Sequence, residues 1–194
     1  MISLWAPLAA GAAPTLLIVG DSLSAGYGLD RDAGWVSLLQ QRLEQAGYPH
    51  RVVNASISGD TSGGALTRLP AELARHRPAV VVLELGGNDG LRGLPLEQMR
   101  SNLADMIRLC RDRHAQVVLA GMRLPPNYGR AYTRAFEQVY AQLATEHHVA
   151  LVPFLLAGLD DGRQDFQPDA IHPNAAAQAI ILDNVWRHLQ PLLK

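Results

Sequence analysis

Five short apolar runs, at residues 16–19, 51–54, 79–84, 116–120 and 150–153, alternate with longer stretches in which apolar residues recur every three or four positions. That alternation constrains the fold more than any other feature. Short runs rich in Leu, Val and Ile, bounded by Gly, Asn or Pro, fit parallel strands buried between helices. The helical period covers 35–46, 63–76, 95–113, 132–147 and 173–189, with Pro95 and Pro173 each suited to a first helical turn. Strands and helices in strict succession, joined by right-handed crossovers, predict an α/β fold: a three-layer α/β/α sandwich on a five-stranded parallel sheet. Ligands of such open sheets bind beyond the carboxyl ends of the strands.

The 194 residues, 48% hydrophobic and 18% charged, suffice for one domain, which the pattern places at 15–194. With a net charge of -1 and scattered Lys and Arg, the chain lacks the electrostatic footprint of a nucleic-acid binder. A small neutral or weakly charged partner is expected instead. Cys110 is the only cysteine and lies in an apolar helical pattern beside Met106, Ile107 and Leu109, so it reads as a packed thiol. Residues 1–14 are almost wholly apolar and include the small-residue run Ala9, Ala10, Gly11, Ala12 and Ala13. They read as a signal-peptide remnant, which implies a periplasmic or secreted protein. No Lys or Arg precedes the run, so a disordered leader on a cytoplasmic protein is the alternative. The segment is too short to span a bilayer, and no later stretch approaches the roughly 18 consecutive apolar residues of a membrane span. No stable membrane anchor is expected, and without heptads or long apolar stripes the expectation is a monomer.

Polar, glycine-rich sequence follows each of the first three strands: Gly20-Asp21-Ser22-Leu23-Ser24, then Ser56 to Thr61, then Gly86-Gly87-Asn88-Asp89-Gly90. The fold brings these segments to one rim. Ser22, directly after the first strand, is the candidate nucleophile, but a serine hydroxyl needs a base within hydrogen-bond reach. Asp169-Ala170-Ile171-His172-Pro173 supplies one: His172 as base and Asp169 as the acceptor that orients its ring. If a helix starts at Pro173, its positive end keeps the imidazole neutral. Gly59, with no side chain to shield its N–H, and Asn88, with a non-titrating amide, suit the oxyanion hole of an acyl transfer. Taken singly, each of these signals also fits a helix cap or an ordinary turn. Leu23, Leu91, Leu124, Pro125 and Tyr128 lie on or near the rim and are candidates for an apolar acyl pocket, although packing onto their own core is the commoner fate of such residues. Gly90-Leu91-Arg92-Gly93, flanked by glycines, is expected to form a mobile flap. Asp21, Asp89, Asp169 and His172 are poor in histidine for a catalytic metal site, so no metal is expected. The other histidines, His50, His76, His114, His147, His148 and His188, are expected in solvated or capping positions.

The blocks at 20–28 (GDSLSAGYG), 54–64 (NASISGDTSGG), 85–93 (LGGNDGLRG) and 169–173 (DAIHP) resemble, in order, the four motif blocks of the SGNH, or GDSL, hydrolases. With 124–128 (LPPNY), they are most similar to the bacterial thioesterase I group, which acts as thioesterase, lysophospholipase and arylesterase. The resemblance runs from about residue 16 to the C-terminus. It implies the flavodoxin-like SGNH fold, Ser22 as nucleophile, His172 as general base and Asp169 as orienting acid. It also implies an oxyanion hole of Ser22 N–H, Gly59 N–H and the Asn88 amide. No cofactor is implied, and the partner is an acyl ester or thioester such as an aryl ester, acyl-CoA or lysophospholipid. Two other classes remain open: a carbohydrate deacetylase or acyltransferase on the same scaffold, and a binding protein without turnover.

Overall fold

The computed structural model describes residues 13–160 and 164–193. The elements are β1 (Thr15–Gly20), α1 (Ser22–Ala25), α2 (Trp35–Gln45), β2 (Arg51–Asn54), α3 (Ser62–His76), β3 (Val80–Glu84), α4 (Gly87–Leu91), α5 (Leu96–Asp112), β4 (Gln116–Ala120), α6 (Arg130–His147), β5 (Ala150–Val152) and α7 (Gln178–Leu189), with 3-10 turns at Pro126–Tyr128 and Gln190–Leu192. All strand pairings are parallel, in the order β2-β1-β3-β4-β5. The proposed leader falls almost entirely on residues 1–12, outside the described residues.

Every residue of β1 and β3 is buried, as runs without polar alternation require in the middle of a sandwich. The edge strand β2 is only partly covered. Helix α5 packs between α3 and α6, while α2 packs against α7. Right-handed crossovers place these two groups on opposite faces of the sheet, the three-layer arrangement expected from the sequence. Cys110 is wholly buried within α5, where desolvation pushes its thiol up to about 12.

The chain leaves β1 toward β2 on one side and returns through β3 on the other. The crevice between the ends of β1 and β3 is therefore the topological switch point of the sheet. Ser22 stands at the end of β1, the segment with Gly59 follows β2, and Asn88 follows β3.

The last helix departs from expectation. It begins at Gln178, not Pro173, because residues 165–174 form a small antiparallel hairpin first. Phe166 bridges Pro173, Gln167 N–H donates to His172 C=O at 2.8 Å, and Asn174 N–H donates to Asp165 C=O at 2.8 Å. His172 therefore stands on this hairpin, and the helix start that the sequence suggested directly after it is not there. His50 also departs from its solvated assignment: it is 4% exposed, stands just before β2, and its ring is made harder to protonate by burial.

Candidate active site

Asp21 caps the single turn α1, accepting the Leu23 N–H on Oδ1 at 3.0 Å, and this turn lifts Ser22 to the rim. The chain can pass from β1 into that turn only as glycine. A Cβ on Gly20 would lie 2.6 Å from Glu84 Oε2 and 2.8 Å from Ser24 Oγ.

The histidine arrives from the hairpin. His172 Nε2 lies 2.9 Å from Ser22 Oγ, and Nδ1 lies 2.7 Å from Asp169 Oδ2. Asp169 Oδ1 accepts the backbone N–H groups of Ile171 at 2.9 Å and His172 at 3.0 Å. Ala170 between them adopts φ 57, a left-handed conformation that costs a non-glycine residue about 1–2 kcal/mol but folds these donors onto one carboxylate. The His172 N–H, the His172 ring and the Ile171 N–H together hold the Asp169 carboxyl down at about 2. Asp169 is therefore an anion at neutral pH.

Asn88 is half-buried in α4 and donates one amide hydrogen to Asp21 Oδ2 at 2.9 Å. Its second amide hydrogen is left for a ligand. Gly59 adopts φ 79, which a side chain would oppose, and its carbonyl accepts from Arg92 Nη2 at 2.8 Å. Arg68 clamps the same loop at both ends, donating from Nε to Asp60 Oδ2 at 2.9 Å and from Nη1 to Ala55 C=O at 2.5 Å. Asp89 joins α4 to the start of α3 by accepting from Ser62 N–H at 2.8 Å and Ser62 Oγ at 2.5 Å. The segments bearing Gly59 and Asn88 are therefore braced against each other.

Below the rim is a carboxylate that sequence reasoning did not single out. Glu84, 0% exposed, accepts from Ser24 Oγ at 2.7 Å and Asp21 N–H at 3.3 Å through Oε2. Burial first, and the neighbouring Asp21 second, push its carboxyl well above the usual range. Burial also raises Asp21, from the usual 3.8 up to about 6, against the opposing pull of the Leu23 N–H and the Asn88 amide. A signal was present in the sequence: Glu84 is the only charged residue in an otherwise apolar strand.

The apolar candidates divide. Leu23 lines a small cleft with Ser22, Gly26, Tyr27, Leu29, His172, Pro173 and Gln178. Leu91 is exposed at the rim, and Tyr128 Oη donates to its carbonyl at 2.9 Å. Pro125 is exposed at the start of the 3-10 turn. Leu124 is 8% exposed and belongs to the core, facing Gly90 beside Phe136, so it supports the rim from below. The expected flap is the end of a helical turn, tied down by the Tyr128 bond and by Arg92 to Gly59. Sequence reasoning missed Tyr27, Ile57 and Ile171. With Leu91 and Leu94 they make up the exposed large hydrophobics of the described residues: Leu91 ends α4, Leu94 follows it, Tyr27 follows α1, Ile57 follows β2 and Ile171 lies in the hairpin.

A second cavity, of about 440 Å³, lies between residues 152–159 and α7, lined in part by Arg123, Asn184 and Arg187. It contains none of Ser22, Asn88 or His172. No group of three or more His, Cys, Asp or Glu side chains among the described residues is placed to hold a metal ion.

Residues 18–180 match a family described as GDSL-like Lipase/Acylhydrolase. Esterase TesA of Pseudomonas aeruginosa is 57% identical over 182 residues, spanning 94% of this chain and 90% of that protein. Thioesterase 1/protease 1/lysophospholipase L1 of Escherichia coli is 47% identical over 184 residues, spanning 95% of this chain and 87% of that protein. A crystal structure of TesA superposes with a TM-score of 0.90 at 56% identity, over 92% of this chain and 99% of that one.

Proposed function

We propose a serine mechanism for this chain, which belongs to the GDSL-like lipase/acylhydrolase family and hydrolyses acyl esters and thioesters. The observation that carries it is the contact of His172 Nε2 with Ser22 Oγ at 2.9 Å, with Asp169 holding the far side of the ring at 2.7 Å. Ser22 Oγ attacks the acyl carbonyl and gives its proton to His172 Nε2, leaving a tetrahedral oxyanion. Ser22 N–H, Gly59 N–H and the free hydrogen of the Asn88 amide receive that oxyanion. His172 then protonates the departing alcohol or thiol; water, deprotonated by the same imidazole, attacks the acyl-enzyme carbonyl, and the imidazolium returns the proton to Ser22 Oγ as the acid leaves. Every proton transfer has a donor and an acceptor within this set.

The substrate reading is an apolar acyl group carried by an aryl alcohol, by a coenzyme thiol or, in a lysophospholipid, by a glycerophosphodiester. It draws support from the exposed apolar side chains around Ser22 and from the names of the two curated relatives. We read the protein as a monomer exported from the cytoplasm, to be checked by sedimentation and by fractionation of cells expressing the full chain. The deciding experiment is hydrolysis of p-nitrophenyl esters from acetyl to palmitoyl, with an acyl-CoA alongside, for the wild type and Ser22→Ala. The expected loss in Ser22→Ala is several orders of magnitude, with fluorophosphonate labelling abolished. A variant that keeps most of its activity would overturn the assignment of Ser22. Turnover confined to acetylated sugars would move the substrate to carbohydrate.

A further inference from the structure

Tyr27 follows Gly26, the left-handed residue that closes α1. Its backbone joins the two halves of the site. The Tyr27 N–H donates to Ser22 C=O at 3.1 Å, and the Tyr27 C=O accepts from Gln167 Nε2 at 2.8 Å. The same Gln167 nitrogen donates to Pro173 C=O at 3.2 Å, one residue beyond His172. One residue therefore connects the turn carrying the nucleophile to the hairpin carrying the base.

The side chain adds a second connection. The Tyr27 ring lies against the imidazole of His172, with centroids 4.5 Å apart and planes inclined at 39°. The ring is 52% exposed, and no hydrogen bond among the described residues holds its hydroxyl. Its aromatic face, not its phenol, is the part engaged.

We propose that Tyr27 is a positioning residue for the acyl-transfer reaction, whose ring holds the His172 imidazole in line between Asp169 and Ser22 and favours the imidazolium formed when Ser22 gives up its proton. The inference rests on the reading of His172 as general base. The hairpin contributes Asp169 to one ring edge, and Ser22 occupies the other. What remains free to vary is rotation out of that plane, and an aromatic face at 4.5 Å restricts it. Charge acts in the same direction. An aromatic face is electron-rich and attracts a cation, so it stabilises protonated more than neutral histidine. The charged groups facing this imidazole are Asp169 on its own hairpin and, more distantly, Asp21 at the start of α1. The other residues lining the cleft, Leu23, Gly26, Leu29, Pro173 and Gln178, are uncharged. Among the described residues, Tyr27 is thus the one aromatic side chain in ring contact with the base.

The test compares the wild type, Tyr27→Phe, Tyr27→Trp, Tyr27→Leu and His172→Ala on p-nitrophenyl acetate and p-nitrophenyl octanoate across pH. Tyr27→Phe and Tyr27→Trp keep an aromatic face and should retain kcat and the acid limb of kcat/KM. Tyr27→Leu should lower kcat about tenfold on both esters and move the acid limb down by about half a pH unit, the size of a half-exposed cation–π contact. Asp21 is present in every Tyr27 variant, so only the displacement between variants is read. If Tyr27→Leu instead raises KM on the octanoate alone and leaves the acid limb in place, Tyr27 is a wall of the acyl site and the proposal falls. Loss of the limb in Tyr27→Phe would also overturn it, by assigning the role to the hydroxyl. A His172→Ala enzyme with near wild-type activity would instead remove the base assignment, an outcome separable from both.

Discussion

Replacing Asp21 by asparagine tests whether the site stores strain in a buried carboxylate. Asp21 is 3% exposed, and burial raises it from 3.8 to about 6, a rise of about two pH units. At 1.36 kcal/mol per unit, ionising it in the folded protein costs about 3 kcal/mol more than in the unfolded chain. The sign follows from proton binding. Between pH 3.8 and about 6 the native state keeps a proton that the unfolded state has released, so stability falls as pH rises through that window and is flat above it. The amide introduced by Asp21→Asn cannot titrate, and it offers one acceptor atom where Leu23 N–H and the Asn88 amide need two. That lost bond is a pH-independent penalty. The unfolding free energy of Asp21→Asn minus that of the wild type should therefore rise by about 3 kcal/mol between pH 3.5 and 7. Urea unfolding at intervals across that range measures it, and repeating the pair in a Glu84→Gln background removes the neighbouring carboxyl from the titration. Activity should fall at every pH because Asn88 loses its anchor. Two parallel stability curves would refute the claim that Asp21 is ionised at a cost.

Three further substitutions address the parts around it. Asn88→Ala should lower kcat by about 10²–10³-fold, the effect of removing one oxyanion donor, and lower the unfolding midpoint as well, because the buried Asp21 Oδ2 loses its amide donor; loss of less than tenfold in kcat would exclude the amide from that role. Arg68→Leu removes the clamp on the Gly59 loop and should destabilise the fold by about 1–3 kcal/mol in urea while lowering kcat more than it raises KM. Ala170→Gly relieves the left-handed strain at φ 57 and should leave kcat near wild type, with stability in urea unchanged or raised by up to about 1 kcal/mol; a large loss of stability would mean that the Ala170 methyl packs.

The sheet was readable because its central strands are buried on both faces, so β1 and β3 carry no charged residue to blur the apolar run until Glu84. The rim followed from topology, since β2, β1 and β3 are neighbours and each is followed by glycine-rich sequence. What failed depends on pairing between distant or irregular segments. Pro173 carries the local signal of a helix start, yet its partner is Phe166, and a seven-residue return is invisible to a periodicity argument. Tyr27 and Gln167 are 140 positions apart, so their contact leaves no local trace. Single-turn helices such as α1 and α4 are too short to show a period. His50 reads as a loop residue at the end of Tyr48-Pro49 and becomes buried only once β2 is docked.

The carboxylates show how environment assigns different work to one functional group. Asp169 is the most exposed of those at the site, yet it is held at about 2 because three donors converge on it. Glu84 is the most buried, and burial, with Asp21 beside it, pushes its carboxyl well above the usual range. Asp21 stands between them near 6, adjoining the nucleophile and anchoring the Asn88 amide. An acid limb in the pH–rate profile therefore cannot come from Asp169. It is a composite of His172, which must be unprotonated to accept from Ser22, and Asp21, whose protonation weakens the hold on Asn88. In Asp21→Asn the second component is gone, so the limb should become a single titration, nowhere steeper than one proton requires. A limb of unchanged shape would mean that Asp21 does not titrate where burial puts it, and would leave His172 to account for the whole profile.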